Sequence, residues 1–185
     1  MSAPSMADSS TLQIDEQTIR QVEPVLIAFA VRAVRQRSLA QDLVQETFLA
    51  AIESRGSFQG RSTLRTWMVG ILVRKIVDHY RRHKREVLVD AVPESDTLAP
   101  LAHTRGPSPE HVLDEKAAML VIERTLPALS ELERMAVLTC DVEQIERDEA
   151  CNALGVQPTH LRVLLHRGRH KLRKALEDHA ALQKR

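Results

Sequence analysis

The sequence predicts an all-α protein of two small helical domains joined by an extended acidic linker, and three observations predict it. Hydrophobic residues make up 43% of the 185-residue chain but aromatics only 3%, so the core is built from Leu, Val, Ile and Ala, which favour helices over sheets. Apolar residues recur at three- and four-residue spacing through most of the chain, the period of an amphipathic helix. Between residues 86 and 109, "EVLVDAVPESDTLAPLAHTRGPSP" breaks that period with four prolines and four acids, the composition of an extended tether.

Residues 1–12 are small and polar and are expected to be disordered. The first domain, 13–87, begins with a helix ending near Arg37, whose apolar positions are Val22, Leu26, Phe29, Ala30, Ala33 and Val34. Pro24 places the start of its regular part nearby. "SLAQDLVQETFLAAIES" follows, with Ser38 and Gln41 in the spacing of a capping box and an inward stripe through Leu43, Val44, Thr47, Phe48, Ala51 and Ile52. The loop "SRGSFQGR" holds two of the six glycines, and Ser62 is the expected N-cap of a third helix running to about Arg85. At 1.5 Å per residue those roughly 24 residues span about 36 Å. The first half of that helix is apolar and the second basic, with Trp67 on the apolar stripe beside Leu64, Ile71 and Leu72.

The linker covers 88–109 and the second domain 110–180. Ser108, Pro109 and Glu110 supply an N-cap, a proline at the first helical position and an early acid. Ser130 and Glu133 form a second capping box, Gly155 ends "RDEACNALGV", and Pro158 opens the last helix.

Several function classes fall away. No apolar run approaches the roughly 20 residues of a membrane span, and the N-terminus lacks the basic start and apolar stretch of a signal peptide. A cytoplasmic protein without membrane insertion is expected. Cys140 and Cys151 are the only cysteines and lack metal or redox spacing, so they read as small hydrophobes. His79/His83 and His166/His170 have i, i+4 spacing, but neither pair has the further ligands of a closed metal site. No nucleophile elbow, phosphate loop or carboxylate dyad appears, so neither catalysis nor a metal or other cofactor is expected.

The net charge of +1 conceals a strong separation. Residues 61–86 carry eight Lys/Arg against Asp78 and Glu86, and residues 151–176 carry six Lys/Arg and no acid, so each segment has a charge of +6. Two basic helices, each with a clean apolar stripe, point to a polyanion. A short helix, a Gly-containing turn and a longer basic helix give the order of a helix-turn-helix. In the last helix, Leu161, Leu164, Leu165, Gly168, Leu172 and Leu176 face inward. Thr159, His160, Arg162, Val163, His166 and Arg167 remain where a recognition helix reads bases. Arg169, Lys171, Arg173 and Lys174 lie further along and suit phosphates.

Together, "DLVQETFLAAI", "F-x-G-x-S-T-L-R-T-W" and "DHYRRHKRE" resemble region 2 of bacterial sigma factors of the sigma-70 family. "LPALSELERMAVL" with "LGVQPTHLRVLLHRGRHKLRKALE" resembles region 4. With only these regions and a short linker, the chain resembles the extracytoplasmic-function (ECF) group over about residues 20–178. The resemblance implies a transcription initiation factor that binds core RNA polymerase, directs it to promoters and helps open DNA. On this reading the exposed Asp42, Gln45, Glu46 and Leu49 dock on the clamp helices of the largest catalytic subunit. Ser57, Phe58, Gln59, Arg61, Arg65, Arg74, Lys75, Arg81 and Arg82 serve the minus-10 element, with Tyr80 as a further base-stacking residue. Thr159, His160, Arg162, Val163, His166, Arg167, Arg169 and Lys171 serve the minus-35 element. The linker would run through the polymerase interior, and an anti-sigma factor would hold the free protein.

Three positions depart from the family pattern. Arg74 stands where Asn is frequent, Val163-Leu164 where a polar-Arg pair is common, and Gln144 where a turn Gly is frequent, so the preceding helix is expected to run longer. From residue pattern alone, two alternatives remain: a stand-alone helix-turn-helix regulator, and a helical adaptor whose basic ends bind acidic proteins or RNA.

Overall fold

Seven α-helices run through the residues described by the computed structural model, 14–86 and 109–183. No strand occurs among them, so the all-α class holds. The expected disordered segment 1–12 and, apart from Pro109, the linker 88–109 lie outside the described residues.

The first three helices are α1 (Glu16–Val34), α2 (Arg37–Glu53) and α3 (Leu64–Glu86), each packed on the other two. Helix α1 starts well before Pro24: the Asp15 side chain caps it by accepting from the Thr18 amide at 2.8 Å. That bond, made to the ionised form, holds the Asp15 carboxyl below its ordinary value. Pro24 sits inside the helix because Pro24 and Arg20 both face solvent, where the carbonyl left without its i+4 donor stays hydrated.

Arg35 ends α1 in the left-handed region (φ 62°), which turns the chain into α2 within two residues. Ser38 is not the cap of α2: the helix already includes Arg37, and Gln36 is the capping residue without a side-chain bond. At α3 the cap is Thr63 rather than Ser62, its Oγ1 accepting from the Thr66 amide at 3.1 Å. Ile52, expected on the inward stripe, is 36% exposed.

Helix α3 is buried on more than one side, with Met68, Val69, Leu72, Val73, Ile76 and Val77 all in the core. One side faces α1 and α2. The other meets the second unit, made of α4 (Pro109–Thr125), α5 (Glu131–Val137), α6 (Arg147–Leu154) and α7 (Pro158–Gln183).

In that unit the Ser130–Glu133 capping box forms in full, and Gly155 caps α6 at φ 62°. After α5 the chain widens into a π-helical turn, Leu138–Val142, so the segment does run on beyond a regular helix end. Gln144 then adopts φ 53°, the conformation a glycine takes at lower cost. Gly168 lets α7 approach α5: a Cβ there would come within 2.7 Å of Val137 Cγ2.

The two units pack together through α3 on α6 and α1 on α5, and one buried apolar cluster runs through both.

Candidate nucleic-acid and partner interfaces

Helical geometry sets the outer face of α2. Asp42, Gln45, Glu46 and Leu49 follow three- and four-residue steps opposite Leu43, Val44, Thr47 and Phe48, so burying the latter exposes the former. Leu49 is 62% exposed, and Ile52 one turn further continues the same face. The surface is therefore an acid-amide patch with an apolar edge, complementary in charge to a basic partner surface. Sequence periodicity had placed Ile52 inside because it lies at the margin of the stripe. Glu46 also accepts from Lys75 Nζ on α3 at 3.2 Å, so an expected docking acid and an expected minus-10 cation share a contact.

The loop after α2 makes one 3₁₀ turn, Arg55–Ser57, and leaves Ser57, Gln59 and Arg61 exposed. Phe58 folds back onto α3, its ring 5.3 Å from that of Trp67 at 56°. Trp67 is half-buried at the core edge, so it serves both the core and the loop.

Along α3, Arg65, Arg74, Arg81 and Arg82 are all exposed, and Arg65 also donates to Glu143 of the second unit at 2.6 Å. Tyr80 is half-buried and tied down at its hydroxyl. Its hydroxyl donates to the Ala33 carbonyl at 2.8 Å and accepts from Arg134 Nη2 at 3.2 Å, and burial raises its pKa against the opposing pull of Arg134.

The last two helices, α6 and α7, form the helix-turn-helix. Leu161, Leu164, Leu165 and Gly168 are buried, while Leu172 and Leu176 are half-buried where the helix runs past its support. Thr159, His160, Arg162, Val163, His166 and Arg167 are all exposed. His160 lines a cleft with Tyr80 and Arg81 between the units, whereas Arg162 and His166 line one between α6 and α7. Arg147 in the first turn of α6 joins Arg162, Arg169 and Arg173 in this second cleft of about 390 Å³, a basic concavity that fits phosphate oxygens. Sequence reasoning missed Arg147 because it stands in a mixed run, "ERDE", with no local excess of charge.

Two of the expected phosphate contacts are already engaged within the second unit. Arg169 binds Asp141 at two points, Nε–Oδ2 3.0 Å and Nη2–Oδ1 2.6 Å, which raises its pKa further. Lys171 donates to Glu133 Oε2 at 2.6 Å. Burial pushes the Glu133 carboxyl up, but bonds from Lys171 and Ser130 outweigh it and hold the group below its ordinary value.

Cys151 is buried and Cys140 half-buried; burial, then Asp141, raises the Cys140 thiol pKa and keeps it protonated. His79 and His83 stack at 5.7 Å, and no group of three or more His, Cys, Asp or Glu residues among the described residues could hold a metal ion. No helix among the described residues is long and apolar enough to cross a membrane.

A family profile described as Sigma-70 region 2 matches residues 18–86. The RNA polymerase sigma factor CarQ of Myxococcus xanthus is 32% identical over 159 residues, covering 84% of each chain. The ECF RNA polymerase sigma factor SigE of Mycolicibacterium smegmatis is 28% identical over 174 residues, 94% of this chain and 66% of its own. Among solved structures, the sigma factor RpoE, co-crystallised with the anti-sigma factor NepR from Bartonella quintana, matches in fold with a TM-score of 0.67. It is 24% identical, and the match covers 88% of this chain and 96% of that one.

Proposed function

The chain belongs to the RNA polymerase sigma factor family, in its ECF group, and from that premise we propose how its surfaces divide the work of a transcription initiation factor. The acid-amide face of α2, Asp42, Gln45 and Glu46 with the apolar edge of Leu49 and Ile52, docks on the clamp helices of the largest catalytic subunit. The 54–61 loop, Arg65 and the basic end of α3 hold the opening minus-10 element. The recognition surface of α7 reads the minus-35 element: Arg162 and Arg167 supply guanine-type donors, and Val163 meets a thymine methyl.

The observation that carries this reading is the exposure of apolar Leu49 beside three solvent-facing polar residues on a helix whose other side is fully used by the core. Leu49 and Ile52, exposed together at the edge of that face, give a partner apolar surface to bury. Opening a duplex costs stacking, and capturing an extruded base while cations hold the single strand offsets that cost. The protein is on this reading a non-catalytic, reversibly bound subunit, working in the cytoplasm and joining the nucleoid with polymerase. The RpoE relative, seen with its anti-sigma factor, supports such a factor as the partner of the free protein.

The test combines purified protein with sigma-free core polymerase on genomic DNA and maps transcript starts. Starts clustering downstream of one two-part motif are expected. They disappear in an Asp42→Ala/Gln45→Ala/Glu46→Ala variant that still folds. No specific starts and no complex with core would sink the reading.

A further inference from the structure

We propose that Asp141 is a positioning residue for DNA: it holds Arg169 so that the remaining donors of the guanidinium meet one particular phosphate of the minus-35 duplex. The inference deepens the function proposed above and rests on α7 being the minus-35 surface.

Asp141 grips Arg169 at two atoms. Nε donates to Oδ2 at 3.0 Å and Nη2 to Oδ1 at 2.6 Å, so both carboxylate oxygens are used on one guanidinium. Of the five N–H donors of an arginine, three then remain, two on Nη1 and one on Nη2. Arg169 lines the cleft between α6 and α7 together with Arg147, Arg162 and Arg173, whose charge draws a phosphate in. Held at two atoms, Arg169 adds direction to that charge.

Two features assign the bond to position rather than to the fold. The two side chains are 47% and 31% exposed, and an ion pair so open to solvent contributes little to stability. The Lys171–Glu133 pair is different, because the Glu133 side chain is 7% exposed and completes the α5 capping box. Asp141 is neither cap of its own turn. The second feature is the turn itself. In an unbroken α-helix Asp141 would stand four residues after Val137 and three after Leu138, on the side those residues bury. The π-helical turn, closed by the Glu143 amide on the Leu138 carbonyl at 3.0 Å, re-aims Asp141 outward. Gly168 lets α7 come close to α5, and the next residue, Arg169, reaches the carboxylate.

The test uses the full chain and a fluorescein-labelled duplex recovered by selection from a randomised pool. Single methylphosphonate linkages, each removing one backbone charge, are placed along both strands, and binding is read by anisotropy. Wild type should weaken at several phosphates, and one of those losses, about fivefold as for one charge-assisted contact, should vanish in Arg169→Ala. Asp141→Asn keeps the Arg169 cation and removes a nearby acid, so it should bind the unmodified duplex at least as well as wild type. Its loss at that phosphate should nonetheless shrink below about twofold and spread to the neighbouring phosphates, because the cation is no longer aimed. Asp148→Asn removes an equal charge from an exposed residue of the same cleft and should keep the wild-type profile. Arg169→Lys keeps the cation without a two-point bond and should blur the profile as Asp141→Asn does, which preserves the test if Asp141→Asn folds poorly. The proposal alone is overturned if no loss vanishes in Arg169→Ala, or if that loss stays full and sharp in Asp141→Asn or Arg169→Lys. Wild type that binds the selected duplex no better than a scrambled one overturns the reading of α7, and the proposal with it.

Discussion

The ring of Phe58 lies 5.3 Å from that of Trp67, tilted by 56°, so the loop proposed to capture a promoter base is pinned to the helix behind it by an aromatic contact. Trp67 is the only tryptophan, which makes its fluorescence a local reporter of that loop. Phe58→Ala should shift the emission to longer wavelength as the indole gains water. Promoter-type single-stranded DNA should perturb the wild-type spectrum and leave that of Phe58→Ala unchanged. Equal responses from both proteins would dissociate the loop from DNA capture.

Leu49 separates docking from stability. Because its side chain is 62% exposed, Leu49→Ala should change unfolding free energy by less than about 0.5 kcal/mol. If the α2 face docks on polymerase, affinity for core should nonetheless fall about tenfold, as for an apolar side chain that becomes buried on binding. Paired urea titrations and core-binding curves decide it. A stability loss without an affinity loss would return Leu49 to the fold.

Gln144 is held at φ 53° at the end of the π-helical turn, where a side chain costs backbone energy that glycine avoids. Gln144→Gly should stabilise the protein by roughly 0.5–1 kcal/mol, since the relief exceeds the extra chain entropy of glycine. Gly168→Ala should act in the opposite direction, by roughly 1–3 kcal/mol, because its Cβ would press on Val137 at 2.7 Å. Val137→Ala should recover part of that loss. Thermal unfolding of the four proteins checks all three statements.

Glu133 links the α5 cap to α7. Its folded-state pKa lies below the ordinary value of 4.5, so its contribution to stability is fully present above that value and is lost as pH falls through the lower, folded one. The gap in unfolding free energy between wild type and Glu133→Gln should be widest near neutrality and close in acid. Ser130→Ala, which removes one half of the capping box, should cost about 1 kcal/mol at neutral pH. A pH-independent gap for Glu133→Gln would show that the carboxylate charge is not what stabilises the cap.

On α7, Arg162 and Arg169 should respond differently. Arg162→Ala removes an exposed side chain and should weaken promoter binding by about 1–3 kcal/mol while relaxing preference at one base pair. Arg169 is bound to Asp141 at two points, so Arg169→Ala should lower stability and reduce the salt dependence of binding without altering sequence preference. Selection from randomised minus-35 duplexes, run with both variants, separates base reading from phosphate contact.

Features that depend on neighbours within about one helical turn are legible in the residues alone. Apolar spacing gave the helices and the exposed face of α2, Ser130–Glu133 gave a capping box, and Gly155 with Pro158 bracketed the helix-turn-helix turn. Even locally, competing signals misled: Ser62 and Thr63 are both capable caps, and only the path of the loop selects Thr63. Pro24 breaks a helix on propensity, yet α1 continues because the proline faces water and the rest of the helix is held by packing. The second buried side of α3, the bridge that Tyr80 makes to Arg134 and the Arg65–Glu143 pair arise only from tertiary packing. Tyr80–Arg134, Arg65–Glu143 and Arg32–Glu123 join residues 54, 78 and 91 positions apart. No periodicity spans such distances, since these pairs form only when the apolar surfaces around them have closed.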